Sequence, residues 1–232
     1  MKAIIFAAGE GVRMRPLTYE KPKPLLSVLG KPLMQHIFEI LPDDIHEVIM
    51  VVGYKSEMIK SFMGNTYLGK RIVFVEQKEP WGTAHALFLC KKHLENEKKF
   101  LLMYADDLHS KKGVQDLLKY DSALMVSEVE NPERFGVVTT RSDNSVLDIE
   151  EKPKNPKSNL VATGVYVLRP EIFSYYEKER EGKGEYFLTE MIAKYIQDFE
   201  CKAVRSDFWI PIGYPADLEK AEKVLRDRIK NS

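Results

Sequence analysis

The first half of the chain alternates between two patterns of apolar positions. Short apolar or β-branched runs, typical of buried strands, occupy residues 2–7, 47–52, 71–76 and 100–104. Apolar residues spaced three and four apart, typical of amphipathic helices, occupy residues 33–41, 56–63 and 83–95. Strands that alternate with such helices predict parallel βαβ units, with helices on both faces of one sheet. The loops after the strands should then meet along one edge, where open α/β sheets bind their ligands.

The pattern changes after Asp121, where strand-like runs follow one another more closely. These runs cover residues 122–129, 136–140, 146–150 and 162–168, with turn signals at 141–144 and 153–156. Helical patterns near residues 186–197 and 216–229 close the chain. We interpret the second half as a mixed or antiparallel extension of the same sheet, because no linker or low-complexity segment interrupts the chain. The prediction is a single α/β domain over residues 1–232, Rossmann-like and three-layered, with a mixed, mostly parallel central sheet.

Composition narrows the class of protein. The 232 residues include 35 Lys and Arg against 35 Asp and Glu, with 44% hydrophobic and 30% charged positions, which is typical of a soluble globular protein. A neutral balance argues against binding to nucleic acid or an anionic membrane. Cys90 and Cys201 are too few for a disulfide scaffold and lack metal-ligand spacing, so we expect reduced thiols and a cytoplasmic protein.

The loop after the first strand carries the first chemical signal. Gly9 and Gly11 stand two apart, which lets the backbone turn sharply and bring its N–H groups close to an anion. Arg13 and Arg15 follow and are suited to phosphate oxygens. An ordinary turn explains these features equally well when the loop is considered alone, because neither a Walker loop nor a complete Gly-x-Gly-x-x-Gly fingerprint is present.

A second segment, residues 21–26, reads Lys-Pro-Lys-Pro-Leu-Leu, and its prolines should hold Lys23 in a fixed direction. Alone, it fits a rigid surface loop. Together, Ala-Ala-Gly-Glu-Gly-Val-Arg-Met-Arg-Pro-Leu-Thr and the later Pro-Lys-Pro-Leu-Leu closely resemble the N-terminal signature of the sugar-1-phosphate nucleotidylyltransferases. The resemblance implies the nucleotide-diphospho-sugar transferase type of fold. It also implies that Ala8, Gly9, Gly11 and Arg13 bind the nucleotide and that Lys23 bridges phosphates.

The region after the third predicted strand extends the resemblance. Gln77 and the run Gly-Thr-Ala-His-Ala, residues 82–86, are similar to the family's base-reading segment and most similar to its form in uridylyltransferases. A glutamine amide pairs well with a uracil or thymine edge, so UTP or dTTP is expected. The resemblance assigns Gln77, Gly82 and Thr83 to nucleotide binding. Thr83 also fits a plain helix N-cap, and the two roles are compatible.

The resemblance places a metal ligand after the fourth strand of the first half. Asp106 matches the aspartate of the family's Gly-Asp motif, with Ala105 where glycine is usual, and a carboxylate at the end of a central strand suits Mg²⁺. An Asx turn is the alternative at this position.

Sugar-side segments of the family also have counterparts here. The resemblance implies that Gly136 and Glu151 hold sugar hydroxyls, that Lys152 meets the sugar phosphate, and that Thr163 and Gly164 approach the hexose. Without the resemblance, Glu-Lys-Pro at residues 151–153 fits an exposed strand end and turn. Many relatives that bind N-acetylglucosamine carry Asn where this chain has Ala162, which argues against that sugar.

The chain departs from the family pattern near its C-terminal end. Pro211 stands where the family has its second metal-binding aspartate, and proline cannot ligate a cation. Asp207 would share a strand face with Pro211 but lie roughly 13 Å away, at ~3.3 Å per residue. We interpret Asp217 as a helix N-cap. Val12 is a further departure, because many members have Thr beside the phosphates.

The resemblance spans residues 2–218 and implies transfer of a nucleotidyl group from a nucleoside triphosphate to a sugar 1-phosphate. At this length we expect no acyltransferase repeat module of the kind attached to some relatives. Two alternatives stay open: a non-catalytic module that senses nucleotide sugars, and transfer to a non-sugar phosphate such as phosphocholine. Oligomeric state is open as well, a homo-oligomer included.

Overall fold

The computed structural model describes residues 1–230 of the chain. Its six α-helices are α1 (Leu33–Ile40), α2 (Ser56–Met63), α3 (Thr83–Leu89), α4 (Lys111–Leu117), α5 (Leu188–Asp198) and α6 (Pro215–Lys230). Its strands are β1 (Lys2–Ala7), β2 (Ser27–Val28), β3 (Lys31–Pro32), β4 (Glu47–Val52), β5 (Thr66–Tyr67), β6 (Lys70–Glu76), β7 (Phe100–Tyr104), β8 (Asp107–His109), β9 (Ala123–Glu128), β10 (Gly136–Thr140), β11 (Val146–Glu151), β12 (Leu160–Leu168), β13 (Lys202–Arg205) and β14 (Trp209–Pro211).

Ten of these strands form one mixed sheet. Along its main path the order is β11-β10-β12-β7-β1-β4-β6-β5, and β9 and β13 extend it from β12. Strands β7, β1, β4 and β6 are parallel, whereas β12 runs antiparallel to β7, β9 and β10. The predicted α/β class and mixed central sheet are therefore confirmed, and the second half of the chain does extend the sheet of the first.

Alternation along the central strands makes the three layers. Ile4 of β1 belongs to an apolar cluster with residues of α3 and α5, while Ala3 and Ile5 belong to a cluster with residues of α1, α2 and α4. All three side chains have no exposed surface. Successive side chains of a strand point to opposite faces, so a continuous apolar strand requires helices on both sides.

A smaller apolar cluster lies beside the main sheet. It joins the antiparallel pair of β8 and β14 to α6 and to the loop before α1, through residues that include Met14, Leu108 and Ile210. This cluster brings the C-terminal part of the chain against the loop that follows β1.

Several boundaries differ from the sequence prediction. Helix α3 ends at Leu89, and a 3₁₀ turn at Lys91–His93 replaces the last predicted turns while Leu94 still reaches the core. Helix α4 and the strands β2, β3, β5, β8 and β13 were missed, because they are short and their sequences show little apolar periodicity. Within residues 1–230, every helix is too short or too polar to cross a bilayer.

Candidate active site

The loops after β1, β6 and β7 meet at one edge of the parallel strands and enclose a cavity of about 430 Å³. All seven residues that the sequence assigned to nucleotide binding line this cavity. They are Ala8, Gly9, Gly11, Arg13, Gln77, Gly82 and Thr83. Parallel strands end at the same edge, which is why residues so distant in sequence converge here.

Glycine is required at position 11 of the loop after β1. Gly11 has φ of 63°, and an added Cβ would lie 3.0 Å from the Thr18 methyl group and 3.2 Å from Lys23 Cβ. The Thr18 hydroxyl donates to the Gly11 carbonyl at 2.9 Å, which holds the turn closed. The next residue, Val12, is 53% exposed and starts a 3₁₀ turn that carries Arg13 toward the cavity.

The Arg13 guanidinium stands without a carboxylate partner among the described residues. It lies 5.5 Å from the centre of the Tyr214 ring, in cation–π contact. Arg134 is at the same distance from that ring. Tyr214 thus contacts two cations, and neither guanidinium has a carboxylate partner within residues 1–230.

Lys23 and Asp106 form the ion pair at the centre of the site. Lys23 begins a 3₁₀ turn with Pro24 next to it, only 7% of its surface is exposed, and its Nζ lies 2.8 Å from Asp106 Oδ2. The Lys23 side chain points inward. It is therefore not the solvated residue of a surface loop.

The glutamine of the base-reading segment is oriented by its neighbours. Gln77 Nε2 donates to the Gly82 carbonyl at 3.0 Å and lies 3.3 Å from His85 Nδ1. A carbonyl only accepts, so the amide must turn its nitrogen to Gly82, which leaves Oε1 as an acceptor. Burial lowers the pKa of His85, whose ring packs against Trp81 at 4.9 Å. The neutral ring suits its role as acceptor.

The prediction of Thr83 as a helix N-cap is wrong. Gly82 is the N-cap of α3, and the Thr83 hydroxyl oxygen instead accepts the Leu188 N–H at 2.8 Å. This contact spans 105 residues of sequence, and nothing local predicts it.

A second cavity, of about 410 Å³, adjoins the first. The five residues predicted for the sugar phosphate line it. They are Gly136, Glu151, Lys152, Thr163 and Gly164. Gly136 and Glu151 are paired across β10 and β11, which places them side by side. Lys152 Nζ lies 3.4 Å from Glu151 Oε1 and 4.6 Å from the centre of the Phe187 ring.

Thr163 and Gly164 meet this cavity mainly through their backbone. The Thr163 hydroxyl donates to the Met125 carbonyl at 3.3 Å, and the residue is 2% exposed, so the hydroxyl faces the core. Gly164 has φ of 81°, and a Cβ there would lie 3.0 Å from the Tyr104 ring. Glycine allows that ring to stand between the two cavities, both of which it lines.

Asp107 is a residue of the site that the sequence reasoning missed. It stands opposite Pro211 in the pairing of β8 and β14. Its carboxylate accepts Trp209 Nε1–H at 2.9 Å and the Ile212 N–H at 3.1 Å. Desolvation, and then the charge of Asp106, raise the pKa of Asp107. The doubled aspartate after a buried strand was the available signal.

The two other carboxylates near the C-terminal end do not replace the missing aspartate. Strand β14 begins only at Trp209, so Asp207 shares no strand face with Pro211, and it bonds to Ser110 Oγ outside both cavities. The prediction of Asp217 as an N-cap is also wrong. It is the third residue of α6, and its Oδ2 accepts the N–H groups of Gly213 and Tyr214 at 2.8 Å.

Residues 185–189, here called the bridging segment, contact both cavities. Its Tyr186 donates its N–H to the Trp81 carbonyl and accepts the Ala84 N–H, both at 2.9 Å. A Cβ on Gly82 would lie 2.4 Å from the Tyr186 carbonyl oxygen. This backbone pairing keeps residues 186 and 187 out of α5, which the sequence predicted to begin at Tyr186. Sequence periodicity could not reveal it.

The protein groups suited to a metal ion are few. One oxygen of Asp106 binds Lys23, and the other has no hydrogen-bond partner among the described residues. Within residues 1–230, no three His, Cys, Asp or Glu side chains cluster as a cation site. One carboxylate facing a phosphate cavity fits Mg²⁺, which commonly takes one or two carboxylates and completes its shell with waters and substrate phosphates.

Comparison with known proteins shows the class to which this fold and its paired cavities belong. The chain belongs to the nucleotidyl transferase family, because the model of that family matches residues 2–228.

Curated relatives are similar over nearly the whole chain. The bifunctional protein GlmU of Methanocaldococcus jannaschii is 38% identical over 99% of this chain and 55% of its own length. The UTP–glucose-1-phosphate uridylyltransferase AglF of Haloferax volcanii is 37% identical over 98% of this chain and 97% of its own length. The chain thus spans about half the length of the GlmU relatives that it matches.

A solved structure is also similar. The crystal structure described as that of a glucose-1-phosphate thymidylyltransferase from Bacillus anthracis superposes with a TM-score of 0.86. It is 28% identical and covers 98% of this chain and 96% of its own.

Proposed function

We propose that the protein transfers a nucleotidyl group from UTP or dTTP to a sugar 1-phosphate, giving a nucleotide sugar and pyrophosphate. The observation that carries the proposal is a shared wall between the two cavities. Six residues line both of them: Arg13, Lys23, Thr83, Tyr104, Asp106 and Gly213. A triphosphate in the first cavity and a sugar phosphate in the second would meet at this wall. The names of AglF and of the Bacillus anthracis protein support the same chemistry.

The reaction needs positioning and charge neutralisation more than acid–base catalysis. An oxygen of the acceptor phosphate attacks the α-phosphorus, a new P–O bond forms, and the bond from that phosphorus to the β-phosphate oxygen breaks. Pyrophosphate leaves with the electron pair of the broken bond. Arg13 would neutralise the leaving group, Lys23 would bridge phosphates, and Lys152 would hold the acceptor phosphate. Arg13 and Lys23 line both cavities, whereas Lys152 lines only the second, which supports these roles.

Magnesium belongs to the proposal through Asp106. The free carboxylate oxygen would hold the ion together with phosphate oxygens and waters. When bound, Mg²⁺ supplies positive charge next to the phosphates.

Specificity follows from the two ends of the site. The free Gln77 Oε1 can accept the N3–H of uracil or thymine, which supports UTP or dTTP. At the other end, Ala162 lines the second cavity, here called the acceptor cavity. Its side chain has no amide, which supports an unmodified hexose as the sugar rather than N-acetylglucosamine. Cys90 and Cys201 are buried thiols, which fits the expected cytoplasmic location.

A cross-panel assay tests the proposal. Each of four nucleoside triphosphates is incubated with Mg²⁺ and with glucose 1-phosphate, N-acetylglucosamine 1-phosphate or phosphocholine, and pyrophosphate and the nucleotidyl product are quantified. We expect turnover with UTP or dTTP and glucose 1-phosphate. Turnover with phosphocholine alone would establish the non-sugar alternative. Tight nucleotide-sugar binding without turnover on any acceptor would establish the regulatory alternative.

A further inference from the structure

The carboxylate of Glu151 accepts a hydrogen bond from a residue that is not one of the predicted sugar-side residues. Thr189 lies in the first turn of α5, and its hydroxyl donates to Glu151 Oε2 at 2.9 Å. Thr189 is 4% exposed and the Glu151 side chain 17% exposed. The contact therefore joins a buried donor to a carboxylate at the edge of the acceptor cavity, which both residues line.

The two carboxylate oxygens of Glu151 have different partners. Oε2 is taken by Thr189, while Oε1 lies 3.4 Å from Lys152 Nζ on the cavity side. A glutamate side chain has three rotatable torsions, and fixing one oxygen removes most of that freedom before a ligand arrives. The remaining acceptor positions of the carboxylate are then pre-oriented toward the cavity.

The methyl group of Thr189 is fitted as closely as its hydroxyl. A Cβ at Gly136 would lie 2.9 Å from Thr189 Cγ2 and 3.4 Å from Glu151 Oε2. Glycine at position 136 therefore makes room for threonine at 189. Three residues from β10, β11 and α5 form one interlocked wall of the acceptor cavity.

We propose that Thr189 is a positioning residue for acceptor recognition. It orients the Glu151 carboxylate to accept hydrogen bonds from the hydroxyl groups of a sugar phosphate, and thereby sets the preference for polyhydroxylated acceptors. The inference rests on the proposed function and adds to it a residue from the bridging segment.

A pair of conservative variants tests the inference. Thr189→Val keeps the shape and the methyl contact but loses the donor, whereas Thr189→Ser keeps the donor and loses the methyl group. A hydrogen bond to a charged group corresponds to roughly a ten- to hundredfold effect on binding. We expect Thr189→Val to raise KM for the sugar 1-phosphate by that factor, with KM for the triphosphate unchanged. Thr189→Ser should stay within about threefold of the wild type.

A double-mutant cycle separates positioning from a merely structural role. In a Glu151→Ala background, Thr189→Val should cause no further rise in KM, because the carboxylate that it orients is gone. The inference is overturned if Thr189→Val leaves the acceptor KM unchanged. It is equally overturned if Val and Ser weaken the enzyme alike, or if the penalty persists without Glu151.

Calorimetric binding of the nucleotide sugar keeps this test independent of turnover. The same variants should show the same order of affinities, with Val weakened and Ser close to the wild type. If the wild type binds nucleotide sugar but shows no turnover, the proposed function is wrong. The affinities of the variants still test the role of Thr189 in that case. A wild type that neither turns over nor binds any nucleotide sugar would remove both.

Discussion

Arg13 and Arg15 are two residues apart in the loop after β1, yet their surroundings differ. Arg13 lines both cavities and has no acidic partner among the described residues. Arg15 is paired with Glu10 at 3.3 Å and stacked on Tyr19 at 5.1 Å, outside both cavities. An uncompensated cation at a phosphate site stabilises charge that develops on a leaving group, whereas a neutralised one contributes little.

Arg13→Ala should therefore lower kcat by roughly 10²–10³-fold while nucleotide still binds. Arg15→Ala is the matched control in the same loop and should change kcat less than about threefold. Steady-state pyrophosphate release, with nucleotide binding followed by calorimetry, measures both. Equal losses in the two variants would show that the loop acts through its overall charge.

His109 of β8 provides a test of burial at the residue scale. The residue is 5% exposed, and neither ring nitrogen has a hydrogen-bond partner among the described residues. Burial lowers the pKa of His109 from its ordinary 6.5 to about 3, against an opposing effect of the Asp106 charge. Below pH 6.5 the unfolded chain thus gains a proton that the folded chain does not take up. The free energy of unfolding must fall as the pH is lowered through that window.

His109→Leu should flatten this dependence. Between pH 7.5 and 5.0 the wild type should lose about 2 kcal/mol more unfolding free energy than the variant, from about 1.4 kcal/mol per pH unit below 6.5. Urea unfolding at the two pH values measures the difference, with His46→Gln at an exposed position as the control. Parallel losses in wild type and His109→Leu would contradict the assignment.

Helix α3 and the bridging segment illustrate how elements, rather than single residues, build the nucleotide cavity. The start of α3 is pinned by backbone pairing with Tyr186 and by the Leu188 N–H on Thr83. Gly82 makes that approach possible, because its backbone has φ of 97° and no side chain stands in the way.

Gly82→Ala should destabilise the protein by about 3 kcal/mol and weaken nucleotide binding, since strain from φ and overlap with Tyr186 act together. Gly184→Ala is a close control. Gly184 has φ of 96° with nothing within 4 Å of an added Cβ, so only the strain of about 1 kcal/mol applies. Urea unfolding and nucleotide titration of both variants separate the two contributions. Equal stability losses would mean that the overlap is relieved by movement of the segment.

At the scale of the whole molecule, the net charge is zero but the charged residues are unevenly distributed. The acceptor cavity is lined by Arg13, Arg134, Lys152 and Lys220 in addition to Lys23. Two of the aspartates that line it are held by internal hydrogen bonds, Asp107 by Trp209 and the Ile212 N–H and Asp217 by the N–H groups of Gly213 and Tyr214. The protein thus gathers positive charge at one edge without a basic surface, which suits small polyanionic substrates.

Binding of Mg²⁺ is predicted to depend on bound nucleotide. One available carboxylate oxygen is too little to bind Mg²⁺ alone, so the phosphates must complete the site. In thermal unfolding, Mg²⁺ alone should not shift Tm, whereas Mg²⁺ with UTP or dTTP should raise it by about 5 °C or more beyond nucleotide alone. Asp106→Asn should abolish this increment and Asp207→Asn should retain it. A clear shift with Mg²⁺ alone would reveal a protein site complete in itself.

Much of the fold could be predicted from the sequence, and the residues that the sequence predicted for the site all line one or both cavities. The central strands are continuous apolar runs because helices cover both faces, and that burial leaves a local pattern. The loop with Gly9, Gly11 and Arg13, the Lys23 segment and Asp106 also follow one another in short motifs. Each of these predictions rests on residues that are neighbours in sequence.

Only the tertiary structure determined how these pieces are oriented. The bond from Thr189 to Glu151, the pairing of Tyr186 with Trp81 and the contacts of Asp107 with Trp209 join residues 38, 105 and 102 positions apart. Such contacts leave no periodic trace, because each depends on where the sheet places distant backbone. The sequence by itself therefore identified the short motifs whose residues line the two cavities, but not Asp107 or Thr189. Packing between distant elements decided how those side chains are held, since a hydrogen bond forms only where the fold brings donor and acceptor together.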